Sequence, residues 1–156
     1  MFKLNKGLGA GGKNTTIYGK QFESVTDNLN NLYSQGFIKH KIKIVSENYA
    51  KEKNIEIGSL MPISISKYFV GKEMGIHVDS YGDERSPVIS VVAYLNDDYQ
   101  GGELYFPEHD FGVRPKKGML ILVPGSLHYV HGVAPITSGT RYTLSQWCKF
   151  KNFKVK

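Results

Sequence analysis

A single cysteine, Cys148, stands among 156 residues. That excludes an intrachain disulfide framework and fits a reducing compartment. No apolar run approaches the ~20 residues that a membrane-spanning helix needs, so no membrane partner is expected. The opening residues MFKLNKGLGAGG contain lysines but no apolar stretch, and no secretory signal is expected there. These absences together favour a cytoplasmic protein. Internal repeats and low-complexity tracts are also missing. Acidic residues are in the minority, 14 against 20 lysines and arginines, and the net charge of +6 favours acidic neighbours. The lysines are scattered, however, through Lys39 to Lys43, Lys51 and Lys53, Lys116 and Lys117, and the tail from Lys149. Scattered lysines read as a solvated surface, so nucleic acid is not the favoured partner.

What the chain has instead is aromatic and β-branched residues in short runs, with ten tyrosines and eight phenylalanines. Residues 1–20, rich in Gly, Lys, Asn and Thr, read as a flexible arm. Residues 21–156 read as a single domain, with helical support over 21–55 and a β core over 58–150. Phe22, Val25, Leu29 and Leu32 recur at helical spacing and predict a helix from Phe22 to Tyr33, with Gly36 as its stop. A second helix is expected from Ile38 to Lys51.

From Leu60 onward the periodicity shortens. Ile63, Ile65 and Phe69 alternate with Ser64, Ser66 and Tyr68, predicting a strand with a polar face. Further strands are expected at His77 to Asp79, Val88 to Asn96, Glu103 to Phe106 and Gly118 to Pro124. Tyr81 to Ser86, Asp97 to Gly102 and Pro107 to Pro115 read as loops. A last hairpin is expected from Tyr129 to Pro135 and Thr140 to Phe150, around Thr137-Ser138-Gly139. The fold class that follows is mainly β with N-terminal helices, in a closed or double-sheet jelly roll.

Within this frame, His77-Val78-Asp79 stands out. Residues i and i+2 of a strand share a face, so the spacing delivers an imidazole and a carboxylate side by side. His131 follows 52 residues after Asp79, and Arg141 ten residues later. Two histidines and one carboxylate, with other positions open, suit non-haem Fe(II) in oxygenases. His128 is the rival third ligand, but in an extended segment it faces away from His131, and the step to Arg141 favours His131. His128 then belongs to the rim, and His40 and His109 to the surface. Arg141, Thr143, Ser145 and Trp147 share one face of their strand. A guanidinium there suits bidentate recognition of a carboxylate.

With these residues in view, the chain resembles the Fe(II)- and 2-oxoglutarate-dependent dioxygenases of the prolyl 4-hydroxylase family. The matching text is Tyr68 nine residues before His77, the HVD itself, Tyr94-Leu95-Asn96, GGELYF at Gly101 to Phe106, and HGVAPITSGTRYTLSQW at His131 to Trp147. It covers roughly residues 60–150. The resemblance implies a double-stranded β-helix and iron held by His77, Asp79 and His131. It places the distal carboxylate of 2-oxoglutarate on Arg141, helped by Tyr68, Tyr94 and Ser145, with Trp147 and Leu122 packing the pocket. O2 is the co-reactant, ascorbate a candidate reductant, and succinate and CO2 the by-products. Arginine rather than lysine at the anion position resembles the oxygen-sensor, bacterial and viral branches. The segment GLGAGGKNTTIYGKQFE likewise resembles N-terminal segments from large viruses and phages.

The substrate implied is a prolyl residue of a peptide or protein, which would lie near Tyr81 to Ser86 and Pro107 to Arg114. Lysyl or free amino-acid hydroxylation are alternatives. A nucleic-acid dealkylase would carry a second arginine six residues after the first, where Trp147 stands. Halogenating relatives replace the carboxylate that Asp79 supplies. A non-catalytic jelly-roll binding module would have no need of the triad and Arg141 together. Oligomeric state is not legible.

Overall fold

The computed structural model describes residues 23–24, 32–80 and 87–151. The expected arm at 1–20 and the polar loop from Tyr81 to Ser86 lie outside them. The described chain is built from twelve short strands and one long α-helix, all strand pairs antiparallel.

Helix α1 spans Leu32–Glu52. It buries Ile42, Ser46 and Ala50, with Ile38 and Tyr49 half-buried beside them, which is the i, i+4 stripe of a helix lying on a sheet. Lys43 and Glu47 pair at 3.7 Å on the solvent side. The helix ends in a left-handed cap. Asn54 has φ 54°, its N–H bonds to the Lys51 carbonyl, and the Ile55 N–H reaches the Ala50 carbonyl at 2.7 Å. Two expectations are corrected here. Gly36 does not stop a helix but lies inside α1. The stretch expected to be helical from Phe22 contains instead strand β1, Glu23–Ser24; residues 25–31 lie outside the described set. Pairing with a neighbouring strand has overridden the local helical period in β1.

The larger sheet contains β1, β2 (Ile57–Leu60), β3 (Ser64–Tyr68), β5 (Ile89–Tyr94), β9 (Leu120–Pro124) and β12 (Arg141–Phe150), in the order β1-β3-β12-β5-β9 with β2 also on β12. The ten-residue β12 is its spine. One edge pairs with β5, while the other pairs first with β3 and then with β2. The smaller sheet runs β4 (Met74–His77), β10 (His131–Val133), β7 (Leu104–Phe106), β8 (Phe111–Val113). Strands β6 (Gln100–Gly101) and β11 (Ile136–Ser138) form a separate two-stranded pair.

Two apolar layers hold this together. Under α1, Ile42 and Ala50 meet Ile65, Val88, Ile89, Val91, Ala93, Leu144 and Cys148. Between the sheets, Val123 and Ile121 from the larger meet Leu104, Phe106, Val133 and Met74 from the smaller. This is the jelly-roll architecture expected from the sequence, with helical cover on one face.

The strand map corrects three further expectations. Pro107 to Pro115 is not all loop: it holds a 3₁₀ turn at Pro107–His109 and then β8. Asp97 to Gly102 contains β6. The last two segments form no hairpin, because β10 and β12 belong to different sheets and β11, between them, pairs with β6. The crossing depends on Gly101, whose φ is 74° and whose missing side chain would strike the Pro135 carbonyl.

Candidate metal centre and anion pocket

Strand β4 carries His77 as its last residue, and β10 carries His131 as its first. The two sit directly opposite each other in the ladder. Their rings lie 4.3 Å apart at 55°. Each imidazole is fixed by its own backbone neighbourhood: His77 Nδ1–H donates to the Gly75 carbonyl and His131 Nδ1–H to the Tyr129 carbonyl, both at 2.9 Å. Anchoring Nδ1 fixes the tautomer and presents Nε2 as the ligating atom.

Asp79 does not continue the β4 strand as expected but sits in a bend two residues past its end. A straight strand would hold the Asp79 and His77 side chains parallel. The bend turns the carboxylate inward, so that Oδ1 lies 3.6 Å from His77 Nε2 and Oδ2 lies 3.7 Å from His131 Nε2. Ligand atoms of the three residues all fall within 4.8 Å of one another. Among the described residues no other group of three such side chains converges this way.

The electrostatics favour the ligating forms of Asp79 and His131, while at His77 they favour the proton that a metal ion would have to displace. Burial alone would raise the Asp79 carboxyl, but His77, the Ser90 hydroxyl and the charge of His131 hold it below the usual carboxylate range. Burial depresses His131, and the nearby His77 depresses it further. For His77 burial also pulls downward, but the Asp79 carboxylate and the Gly75 carbonyl prevail and raise it. The ring of Phe106 lies 5.7 Å from that of His131 and shields it. His128 is exposed; its carbonyl accepts from His109 Nε2 at 2.7 Å and its backbone N–H donates to the Ser126 hydroxyl at 3.3 Å. His40 and His109 are exposed too.

Arg141 begins β12 and is 2% exposed. It lies opposite Tyr68 of β3, and the next residues on its face, Thr143 and Ser145, lie opposite Ser66 and Ser64. On the other edge, Thr143, Ser145 and Trp147 lie opposite Tyr94, Val92 and Ser90. The expected polar face therefore exists. It runs from the guanidinium towards Ser90, the hydroxyl beside Asp79. The guanidinium carbon sits 4.1 Å from the Tyr68 ring centroid and 5.6 Å from that of Tyr94. One terminal nitrogen donates to the Gly102 carbonyl at 3.1 Å.

Leu122 is placed differently from the expectation. It lies opposite Val91 and packs into the layer under α1, while Ile121 and Val123 take the side between the sheets. Strand alternation decides this: shifting by one residue changes the face.

The sequence reading missed Tyr99. It is 4% exposed and packs against Tyr68 and Ile136. Its signal was an aromatic residue inside the otherwise polar turn Asp97 to Gly102.

Three buried polar atoms around this pocket have no partner among the described residues: Arg141 Nε and the hydroxyls of Tyr94 and Tyr99. Burying such groups unpaired costs about 1–3 kcal/mol each, so a ligand is expected to satisfy them. Burial pushes the Tyr94 phenol up to about 12 despite Arg141, and burial raises Tyr68 and Tyr99 as well. All three phenols thus remain protonated at neutral pH beside a permanent cation. A cluster of this kind fits an acceptor-only group, a carboxylate. The imidazole–carboxylate cluster, in turn, is a donor set that suits ferrous iron.

Comparison with known proteins agrees with this geometry. The model of the 2OG-Fe(II) oxygenase superfamily matches residues 63–149, which contain all three converging side chains and Arg141. A candidate prolyl 4-hydroxylase of Acanthamoeba polyphaga mimivirus is 24% identical over 162 residues, covering 90% of this chain and 67% of that protein. Human prolyl 3-hydroxylase 3 is 40% identical over 63 residues, which are 37% of this chain but only 9% of the human protein. Among solved structures, the collagen prolyl hydroxylase of Paramecium Bursaria Chlorella virus-1, in its 2-oxoglutarate complex, superposes with a TM-score of 0.64 at 21% identity, over 72% of each chain. That likeness is one of fold. Family match, strand order and converging side chains lead to the same conclusion, with prolyl hydroxylases as the similar proteins: the chain belongs to the 2OG-Fe(II) oxygenase superfamily.

Proposed function

We propose that this protein hydroxylates an unactivated C–H bond of a prolyl residue in a peptide or protein, consuming 2-oxoglutarate and O2 and releasing succinate and CO2. The observation that carries the proposal is the placement of a buried, donor-rich pocket on the same inter-sheet face as the His77–Asp79–His131 cluster. Iron(II) bound there with 2-oxoglutarate would activate O2, the oxidant, with two of its four electrons coming from the decarboxylation of 2-oxoglutarate and two from the C–H bond.

The chain's own residues do the rest. His77, Asp79 and His131 would hold the metal, with both imidazoles oriented by backbone carbonyls. Arg141 would take the distal carboxylate of 2-oxoglutarate, held rigid by the Gly102 carbonyl and the Tyr68 ring. Tyr94 and Ser145 would add hydroxyls, and Trp147 would close the wall. Phe106 and the Val123–Val133 layer exclude water from behind His131. Ascorbate is the proposed accessory reductant.

The choice of a prolyl substrate is supported by the names of the relatives, which are prolyl hydroxylases of viral and animal origin. The test is incubation of the iron-loaded protein with 2-oxoglutarate, air and a peptide library, followed by mass spectrometry of the products. Addition of one oxygen atom to prolyl residues, with stoichiometric succinate, is the expected result. Oxygen found on lysyl residues, free amino acids or nucleobases would overturn the substrate assignment.

A further inference from the structure

Tyr99 borders the site but has no role assigned to it so far, yet its environment is that of a ligand-binding residue. We infer that the Tyr99 hydroxyl is a further donor to the distal carboxylate of the diacid cosubstrate, beside Arg141 and Tyr94. This rests on the cosubstrate assignment made for Arg141 above.

The first ground is burial without satisfaction. Tyr99 is 4% exposed, and its hydroxyl has no partner among the described residues. A phenol that served only as a wedge would be better as phenylalanine, because a buried unpaired hydroxyl is destabilising. The second ground is position. A Cβ placed on Gly102 would stand 2.6 Å from Ile136 Cδ1, 3.2 Å from Tyr99 Cε2 and 3.4 Å from Arg141 Cδ. The Tyr99 ring and the arginine stem therefore both lie against Gly102, whose carbonyl Arg141 grips. Tyr99 also packs on Tyr68, whose ring lies under the guanidinium. The third ground is electrostatic. The Arg141 charge reaches Tyr99 and Tyr94 alike, and Tyr99 in turn raises Tyr94. Two unpartnered hydroxyls beside the unpartnered Arg141 Nε make a set that a carboxylate, with about four lone-pair sites, can satisfy.

The hydroxyl's role predicts an unusual pairing of effects. Tyr99→Phe keeps the ring and removes only the unpaired oxygen, so the ligand-free variant should melt at the wild-type temperature or above. Its affinity for 2-oxoglutarate, measured anaerobically by calorimetry on the Mn(II)-loaded full chain, should fall roughly tenfold or more. Mn(II) affinity should be unchanged. Wild-type 2-oxoglutarate affinity in Tyr99→Phe would overturn the inference. So would a lower melting temperature or weaker Mn(II) binding, since either would mark the hydroxyl as structural. Arg141→Ala, titrated in parallel, separates the two levels. If it weakens 2-oxoglutarate binding while Tyr99→Phe does not, only the Tyr99 inference fails. If Arg141→Ala binds as wild type, the cosubstrate assignment itself falls.

Discussion

The two faces of β12 solve opposite problems with alternate residues of one strand. Leu144 and Cys148 point into the layer under α1, where they are 2% and 0% exposed among aliphatic neighbours. Gln146, the polar exception on that face, donates its amide to the Met61 carbonyl at 2.8 Å. On the other face Arg141 and Thr143 are just as deeply buried, 2% and 1%, yet they stand near the unpaired hydroxyls of Tyr94 and Tyr99. One face gains stability from burial. The other spends some of it to keep donors dry and fixed for a ligand, as functional sites do. Equal burial is thus no guide to role; what distinguishes the faces is that one packs mainly on aliphatic side chains while the other gathers a buried cation and phenols.

The contrast can be broken, or sharpened, by substitution on either side. The largest effect is expected at the metal cluster. His131→Ala should abolish succinate formation and iron retention, whereas His128→Ala, three residues away and exposed, should retain both. The reverse outcome would exchange their roles. Next comes Arg141→Ala, which should weaken 2-oxoglutarate binding by roughly a hundredfold or more, since it removes charge-assisted hydrogen bonds, while metal affinity measured by calorimetry stays near wild type. On the helix face, Leu144→Ala should lower unfolding stability by ~2–5 kcal/mol in denaturant titrations without altering the KM for 2-oxoglutarate. A changed KM there would show that the faces are coupled. The smallest effect concerns the helix alone. Asn54→Ala places a Cβ-restricted residue in a left-handed cap and should cost about 1 kcal/mol, whereas Asn54→Gly should be close to neutral. Thermal melting of the two variants side by side measures the difference.

Much of this arrangement was legible in the residues. Spacing and donor chemistry single out His77, Asp79 and His131, and the fold brings those three side chains together. The shared face of Arg141, Thr143, Ser145 and Trp147 followed from the two-residue period of a strand, which is local and survives any tertiary context. Errors arose where local signals had to compete with distant partners. Glu23 and Ser24 fall within a helical repeat but pair with Lys67 and Ser66 respectively. Phe111 to Val113 looked like loop because three residues carry little periodicity, and only β7 makes them a strand. Leu122 was assigned to the pocket by resemblance, yet register against Val91 turns it under the helix.

By itself, then, the sequence determined which residue types were available and which of them shared a strand face, because alternation and donor chemistry are properties of short segments. Only the tertiary structure decided that His131 would open a strand directly opposite His77, that a bend would swing Asp79 between them, and that Tyr99 and Arg141 would both lie against Gly102. Those outcomes depend on ladder register and on chain crossings between sheets. Their energies come from contacts between residues far apart in the chain, and no local pattern encodes them.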